Sequence, residues 1–162
     1  TVGALNRQNH KRIHLAIEAV SQLNDVSLLI CGDGPDVQYF NDLCTQKLGA
    51  QRFNIVKVDF ADIPNVYRSV DAFTLPSEDE PFGRVYLEAM ASGLPVIATD
   101  DSMRRTLIGK AGVVCNVENI GEYAAAIATT LTTDWAGAPI EQAADFSWES
   151  VAERYADVIE SL

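Results

Sequence analysis

The chain has 162 residues, 48% apolar and 22% charged, the profile of a single soluble globular domain whose one core suffices without disulfides or metals. Its 12 Lys+Arg against 23 Asp+Glu give a formal net charge of -11, which argues against wrapping nucleic acid or coating an anionic membrane. No apolar run approaches the roughly 20 residues that span a bilayer, and the opening Thr1-Val2-Gly3-Ala4-Leu5 lacks the regions of a signal peptide.

In chain order, short runs rich in β-branched residues alternate with stretches of helical period. Ser27–Cys31, Asn54–Val58, Asp71–Leu75 and Pro95–Thr99 read as strands buried on both faces. His14–Leu23 carries Leu15, Ala19 and Leu23 at four-residue spacing, and Asp36–Leu48 carries Val37, Phe40, Leu43, Cys44 and Leu48 on one stripe. Arg84–Ala91 reads as a short helix stopped by Gly93, and Ile120–Thr130 and Ser147–Leu162 as two more. The last has Ser147 and Ser150 as caps and Val151, Tyr155, Val158 and Ile159 on its apolar face. Thr132–Pro139 reads as a loop, and Phe40, Phe73, Trp148 and Tyr155 as core or helix packing. The order predicts an α/β fold, a doubly wound parallel sheet with helices on both faces.

Three cysteines, Cys31, Cys44 and Cys115, follow neither a metal nor a disulfide spacing, which predicts reduced apolar fillers and a cytoplasmic protein. His10 and His14 stand four apart, as zinc ligands on a helix do, but no third ligand accompanies them, so no metal site is predicted. Arg104 and Arg105 are expected to face solvent or the ligand loop.

Ligands of an open parallel sheet bind beyond the carboxyl ends of its strands. After the first strand stands Gly32-Asp33-Gly34-Pro35, where Gly32 and Gly34 allow a tight turn and close approach of a ligand. No third glycine follows near Val37, so this is no dinucleotide fingerprint; a ligand-free turn is the competing reading. The densest signal is Glu80-Pro81-Phe82-Gly83-Arg84-Val85-Tyr86-Leu87-Glu88, where a helix opens near Gly83 and offers backbone N–H groups at Phe82, Gly83, Arg84 and Val85 to a phosphate. Glu80 and Glu88 supply carboxylates that suit the paired hydroxyls of a sugar or ribose; for Glu88 alone a solvated helical glutamate is the bland alternative. Arg7, Lys11 and Arg12 concentrate positive charge in an acidic chain, as an anionic ligand requires, against the alternative of a solvated helix start.

The string from Glu80-Pro81-Phe82-Gly83 to Glu88-Ala89-Met90-Ala91-Ser92-Gly93-Leu94-Pro95-Val96 resembles the donor-site signature of retaining GT-B-fold glycosyltransferases, a family that includes bacterial mannosyl-, glucosyl- and galactosyltransferases. Val2-Gly3 with Lys11, the Gly32–Pro35 turn, the run Tyr67–Pro76 and the closing Phe146-Ser147-Trp148 fall in the same order. The resemblance implies a Rossmann-like half of a GT-B fold. It assigns the ribose hydroxyls to Glu88, the transferred sugar to Glu80, the diphosphate and sugar hydroxyls to the backbone of Phe82, Gly83, Arg84 and Val85, and the nucleobase border to Val58-Asp59-Phe60. Gly3 belongs to the glycine turn beside the diphosphate, which Lys11 would grip. Where the family usually has an arginine after that glycine this chain has Ala4, so the second positive charge is expected from Arg7 or Arg12.

The expectation is therefore one donor-binding domain, residues 1–162, belonging to a longer enzyme whose amino-terminal domain holds a glycan or lipid-linked acceptor. Its donor would be a UDP-, GDP- or ADP-linked hexose, with no further cofactor and no metal, and the domain alone would be inactive. Membrane-surface association of the full enzyme stays open. A catalytically idle nucleotide-sugar-binding relative and a GT-B sugar-nucleotide epimerase are the alternative readings.

Overall fold

The computed structural model describes residues 1–161. The elements are α1 (Ile13–Ser21), β1 (Leu28–Cys31), α2 (Val37–Leu48), β2 (Phe53–Val56), a 3-10 turn (Phe60–Asp62), α3 (Ile63–Tyr67) and β3 (Phe73–Leu75). There follow α4 (Arg84–Ala91), β4 (Val96–Thr99), α5 (Ser102–Ile108), β5 (Gly112–Cys115), α6 (Ile120–Thr132), α7 (Ala138–Ala144) and α8 (Trp148–Glu160). All pairings are parallel: β1 with β2, and β3 with β4 and β4 with β5. The strands thus form a two-stranded and a three-stranded sheet rather than one. Val2 bridges to Cys31 in the same parallel sense, which brings Gly3 to the carboxyl end of β1.

Both faces of β1, β3 and β4 are covered, as their apolar runs require, whereas β2, expected to be buried on both faces, has no buried residue and leaves Asn54 exposed at the edge of its sheet. Along β4 the side chains alternate: Ile97 joins α1, α2 and α6 in one apolar cluster, whereas Val96 and Ala98 join α4 and α5 in the other. In β3, Phe73 and Leu75 face the second cluster, and Thr74 hydrogen-bonds Tyr123 of α6 on the first. This is the expected α/β architecture, parallel strands wound on two sides.

Four elements go beyond the sequence reading. α3, α5 and β5 were not anticipated, and α7 begins at Ala138 inside the end of the expected loop, with Pro139 in its first turn where a missing N–H is harmless. Gly93 has φ +87, the left-handed stop expected after α4. Ser147 caps α8 by accepting a hydrogen bond from the Ser150 N–H, whereas the Leu162 end of that expected helix lies outside the described residues.

Two packing expectations are corrected. Trp148 is 87% and Tyr155 70% exposed, and Val158 and Ile159 are exposed as well, so α8 carries an apolar stripe that nothing in the chain covers among the described residues. Phe40 and Phe73 are buried as expected. Cys31, Cys44 and Cys115 are free thiols, and burial raises all three, Cys44 to about 11 and Cys115 to about 12. No helix among the described residues is long and apolar enough to cross a membrane.

Candidate functional site

The segments that follow β1, β2 and β3 meet at a cleft of about 710 Å³. That volume falls within the range of small-molecule sites. The structure brings Gly3, Lys11, Gly32, Val58, Glu80, Phe82, Gly83, Arg84, Val85 and Glu88 together on its wall. Residues 80–88 are contiguous, but Gly3 and Lys11 come from the start of the chain, Gly32 from the end of β1 and Val58 from beyond β2.

The centre of the wall is the amino end of α4. Tyr86, Ala89 and Met90 recur at helical spacing and are buried, which fixes the helix against β4 and leaves Glu88 beside the cleft. Gly83 occupies the cap position with φ 83 and ψ 47, a left-handed conformation, and no side chain caps the helix. A Cβ on Gly83 would lie 2.5 Å from Cδ2 of Tyr86, whose ring is fully buried and whose hydroxyl donates to the Leu75 carbonyl at 2.9 Å, so the ring cannot yield. Glycine at this position therefore leaves the first N–H groups of α4 open to an anion.

Lys11 and Glu80 form an ion pair across the cleft, their side chains 17% and 15% exposed. Their loops are laced together: the Glu78 N–H donates to the His10 carbonyl at 2.8 Å, and the Asn9 side chain, bound to the Ala4 carbonyl, accepts from the Lys11 N–H at 3.0 Å. Glu88, one turn into α4, accepts a hydrogen bond from the Tyr67 hydroxyl at 3.2 Å. Burial, and then the negative charge of Glu88, hold that phenol well above its usual range, so Tyr67 is a donor at neutral pH. Tyr67 was not singled out as a positioning residue from sequence; it stands 21 positions from Glu88, which gives no local signal.

Three expected residues lie elsewhere. Arg7 pairs with Asp36 at 3.1 Å and stacks over the Tyr39 ring, 4.7 Å from its centroid, at the start of α2. Arg12, held at φ 49, donates to the Pro76 carbonyl at 2.9 Å and pairs with Glu118 at 2.7 Å, a strut beneath the acidic loop and not part of the cleft wall. Gly34 does not face a ligand: a Cβ there would fall 2.4 Å from the Leu5 carbonyl oxygen. Gly32 lines the cleft, yet its bare Cα also serves the chain, because a Cβ would meet the Gly3 oxygen at 1.9 Å. Arg104 is a further correction, being buried and paired with Asp101, whereas Arg105 is exposed and paired with Asp100.

The cleft also recruits Lys57, which the sequence reading left out, and Asp33, to which it gave no role. Lys57 and Asp33, paired at 2.7 Å, stand on the β1–β2 side, and this contact holds the Asp33 carboxyl below and the Lys57 ammonium above their usual values. Ala4 is on the wall beside Gly3, and the 84% exposed Phe60, part of the expected nucleobase border, is there with Val58. Among the described residues no cluster of three or more His, Cys, Asp or Glu is arranged to hold a metal ion.

A parallel-strand domain with an open helix amino end between two glutamates is the setting in which the family comparison becomes decisive. The family model described as glycosyl transferases group 1 matches residues 1–147. The chain belongs to this family. A glycogen synthase of Mycobacterium tuberculosis is 32% identical over 91% of the chain, and a D-inositol 3-phosphate glycosyltransferase of Corynebacterium urealyticum is 27% identical over 99%. The chain spans only 39% and 42% of those two proteins. Among solved structures, a lipopolysaccharide outer core galactosyltransferase, WaaB, superposes with a TM-score of 0.83 over 99% of this chain and 48% of its own, at 22% identity. Anabaena HepE in complex with UDP superposes at 0.77 over 99% and 48%, with 25% identity. The fold is that of the GT-B glycosyltransferases.

Proposed function

We propose that this chain is the donor-binding domain of a retaining glycosyltransferase, which moves a hexose from a UDP-, GDP- or ADP-linked carrier to an acceptor hydroxyl. The observation that carries the proposal is the convergence of Glu80, Glu88 and Lys11 on the uncapped amino end of α4. In this reading the carrier's diphosphate sits against the first N–H groups of α4, Glu88 grips the ribose hydroxyls, and the nucleobase lies toward Val58 and Phe60. An arriving diphosphate competes with Glu80 for Lys11, and the released carboxylate of Glu80 is then free to accept hydrogen bonds from the hydroxyls of the sugar.

As the bond between the sugar and the diphosphate breaks, its electron pair goes to the phosphate oxygen. Lys11 and the helix amides stabilise the charge that develops there. Relatives named for glycosyl transfer and a structural neighbour solved with UDP support a nucleotide-linked donor. The coverage of less than half of those relatives supports a parent protein in which an acceptor-binding domain precedes this one and closes the cleft. We place the parent enzyme in the cytoplasm, with a glycan or lipid-linked acceptor, and expect this domain alone to bind donor without transferring sugar.

Ala4 on the cleft wall favours a second reading, a nucleotide-sugar-binding relative with no transfer activity. Binding is tested first. Millimolar UDP, GDP or ADP is expected to raise the melting temperature of the chain, since a ligand at 100 times its Kd adds about 2.7 kcal/mol. Glu88→Ala is expected to weaken that binding while the domain stays folded. A folded sample that responds to no nucleoside diphosphate overturns the donor-site proposal.

A further inference from the structure

We infer that the side chain of Arg84 is the second charge, beside Lys11, that holds the donor's diphosphate in this cleft. The inference rests on the donor-site reading above and deepens it, because it assigns the cation that neither Arg7 nor Arg12 supplies.

The cations on the cleft wall are Lys11, Lys57 and Arg84, and the acids are Asp33, Glu80 and Glu88. Lys11 is paired with Glu80 and Lys57 with Asp33, so each of these ammonium groups is neutralised by a neighbour. Glu88 is engaged by the neutral hydroxyl of Tyr67. Arg84 makes no ion pair among the described residues, is exposed, and is the first residue of α4. It is the unneutralised cation of the wall, at the same helix end whose N–H groups are uncapped.

That placement disfavours the helix, because a cation in the first turn opposes the helix dipole. An anion bound at the helix end reverses the sign: it satisfies the open N–H groups and the guanidinium together. Arginine suits the task better than lysine, since its planar fork can donate two parallel hydrogen bonds to phosphate oxygens. Ala4, on the wall at the glycine turn, contributes no side-chain donor, which leaves the role to Arg84. The cleft is open to solvent, so salt should weaken this attraction.

The test compares UDP and GDP binding to the wild-type chain, Arg84→Gln and Arg84→Lys by calorimetric titration, with uridine and guanosine as phosphate-free controls. Arg84→Gln is expected to lower diphosphate affinity about tenfold, the size of a single charge-assisted hydrogen bond, and to flatten its dependence on salt. Arg84→Lys should recover part of the loss, nucleoside affinity should not change, and the melting temperature of the unliganded Arg84→Gln chain should stay level or rise. Affinities of Arg84→Gln within about twofold of wild type for both diphosphates overturn the inference while leaving the donor site intact. An equal loss for nucleosides also overturns it, since the side chain would then act on the pocket and not on phosphate. A wild-type chain that binds neither diphosphate, with ADP tested alongside and also silent, overturns the donor-site reading together with this one.

Discussion

Helices α4 and α5 begin beyond the carboxyl ends of two neighbouring strands, β3 and β4, yet their amino ends are in opposite states. That of α5 is sealed: the Asp101 carboxylate accepts from the Arg104 N–H at 2.8 Å and pairs with the buried Arg104 guanidinium. That of α4 is capped only by Gly83, with no side-chain oxygen on its N–H groups. A helix end becomes an anion seat when the chain withholds its own acid, and the residue at the cap position makes that choice. The same two helices hold their arginines differently, Arg104 at 3% side-chain exposure against the exposed Arg84.

The largest effect is expected at the sealed end. Asp101→Ala removes the cap and leaves Arg104 buried without its carboxylate, a loss of about 3–5 kcal/mol, or roughly 10 °C in Tm for a domain of this size. Asp101→Asn keeps a capping oxygen but not the charge and should fall between. Calorimetric melting of the two variants separates cap from charge, and equal losses would show that the charge alone matters.

Next comes the open end. Gly83→Ala forces a Cβ into the buried Tyr86 ring at a left-handed φ, about 2–4 kcal/mol in all, and should impair nucleotide binding as the first turn shifts. Gly93→Ala is the control, for its Cβ would meet only Ile140 at 3.9 Å, leaving the backbone strain of about 1–2 kcal/mol. Equal destabilisation of the two variants would mean that Tyr86 does not shape the seat.

Tyr86 also links the seat to alkaline pH. Burial pushes its phenol up to about 12, and burial raises Tyr67 and Tyr123 as well. The folded values exceed the unfolded value of about 10, so this stability is complete below pH 10 and is lost as pH rises toward 12. In an absorbance titration these three phenols should ionise together with the loss of tertiary structure. Ionisation of all three in a still-folded protein would contradict their burial.

The smallest effect is expected at Tyr67→Phe, which removes the hydrogen bond to Glu88. A loss of about 0.5–1.5 kcal/mol in nucleotide affinity is expected, with little change in melting temperature. An unchanged affinity would show that Glu88 needs no second residue to orient it.

Glu80, Gly83 and Glu88 were legible because their relation is local: a loop, a cap and one helical turn fix their positions whatever the remainder of the chain does. Lys11 was legible as one of three clustered cations and through the resemblance, but its pairing with Glu80, which crosses 69 positions, was not. Arg7 and Arg12 were misplaced for a related reason. Their charge could be counted from sequence, but the acids that would claim it, Asp36 and Glu118, lie 29 and 106 residues away. The exposed stripe on α8 makes the same point in apolar terms, for periodicity marks a face without naming what covers it.

By itself, then, the amino-acid order determined what short-range sterics and periodicity control: parallel α/β architecture, the stop at Gly93, the cap at Ser147 and the bare amino end of α4. Only the tertiary structure decided which charges meet. It spent Arg7 and Arg12 on struts, buried Arg104 and joined Lys11 to Glu80, because ion pairs form between groups that the fold brings within a few ångströms and sequence distance does not enter Coulomb's law.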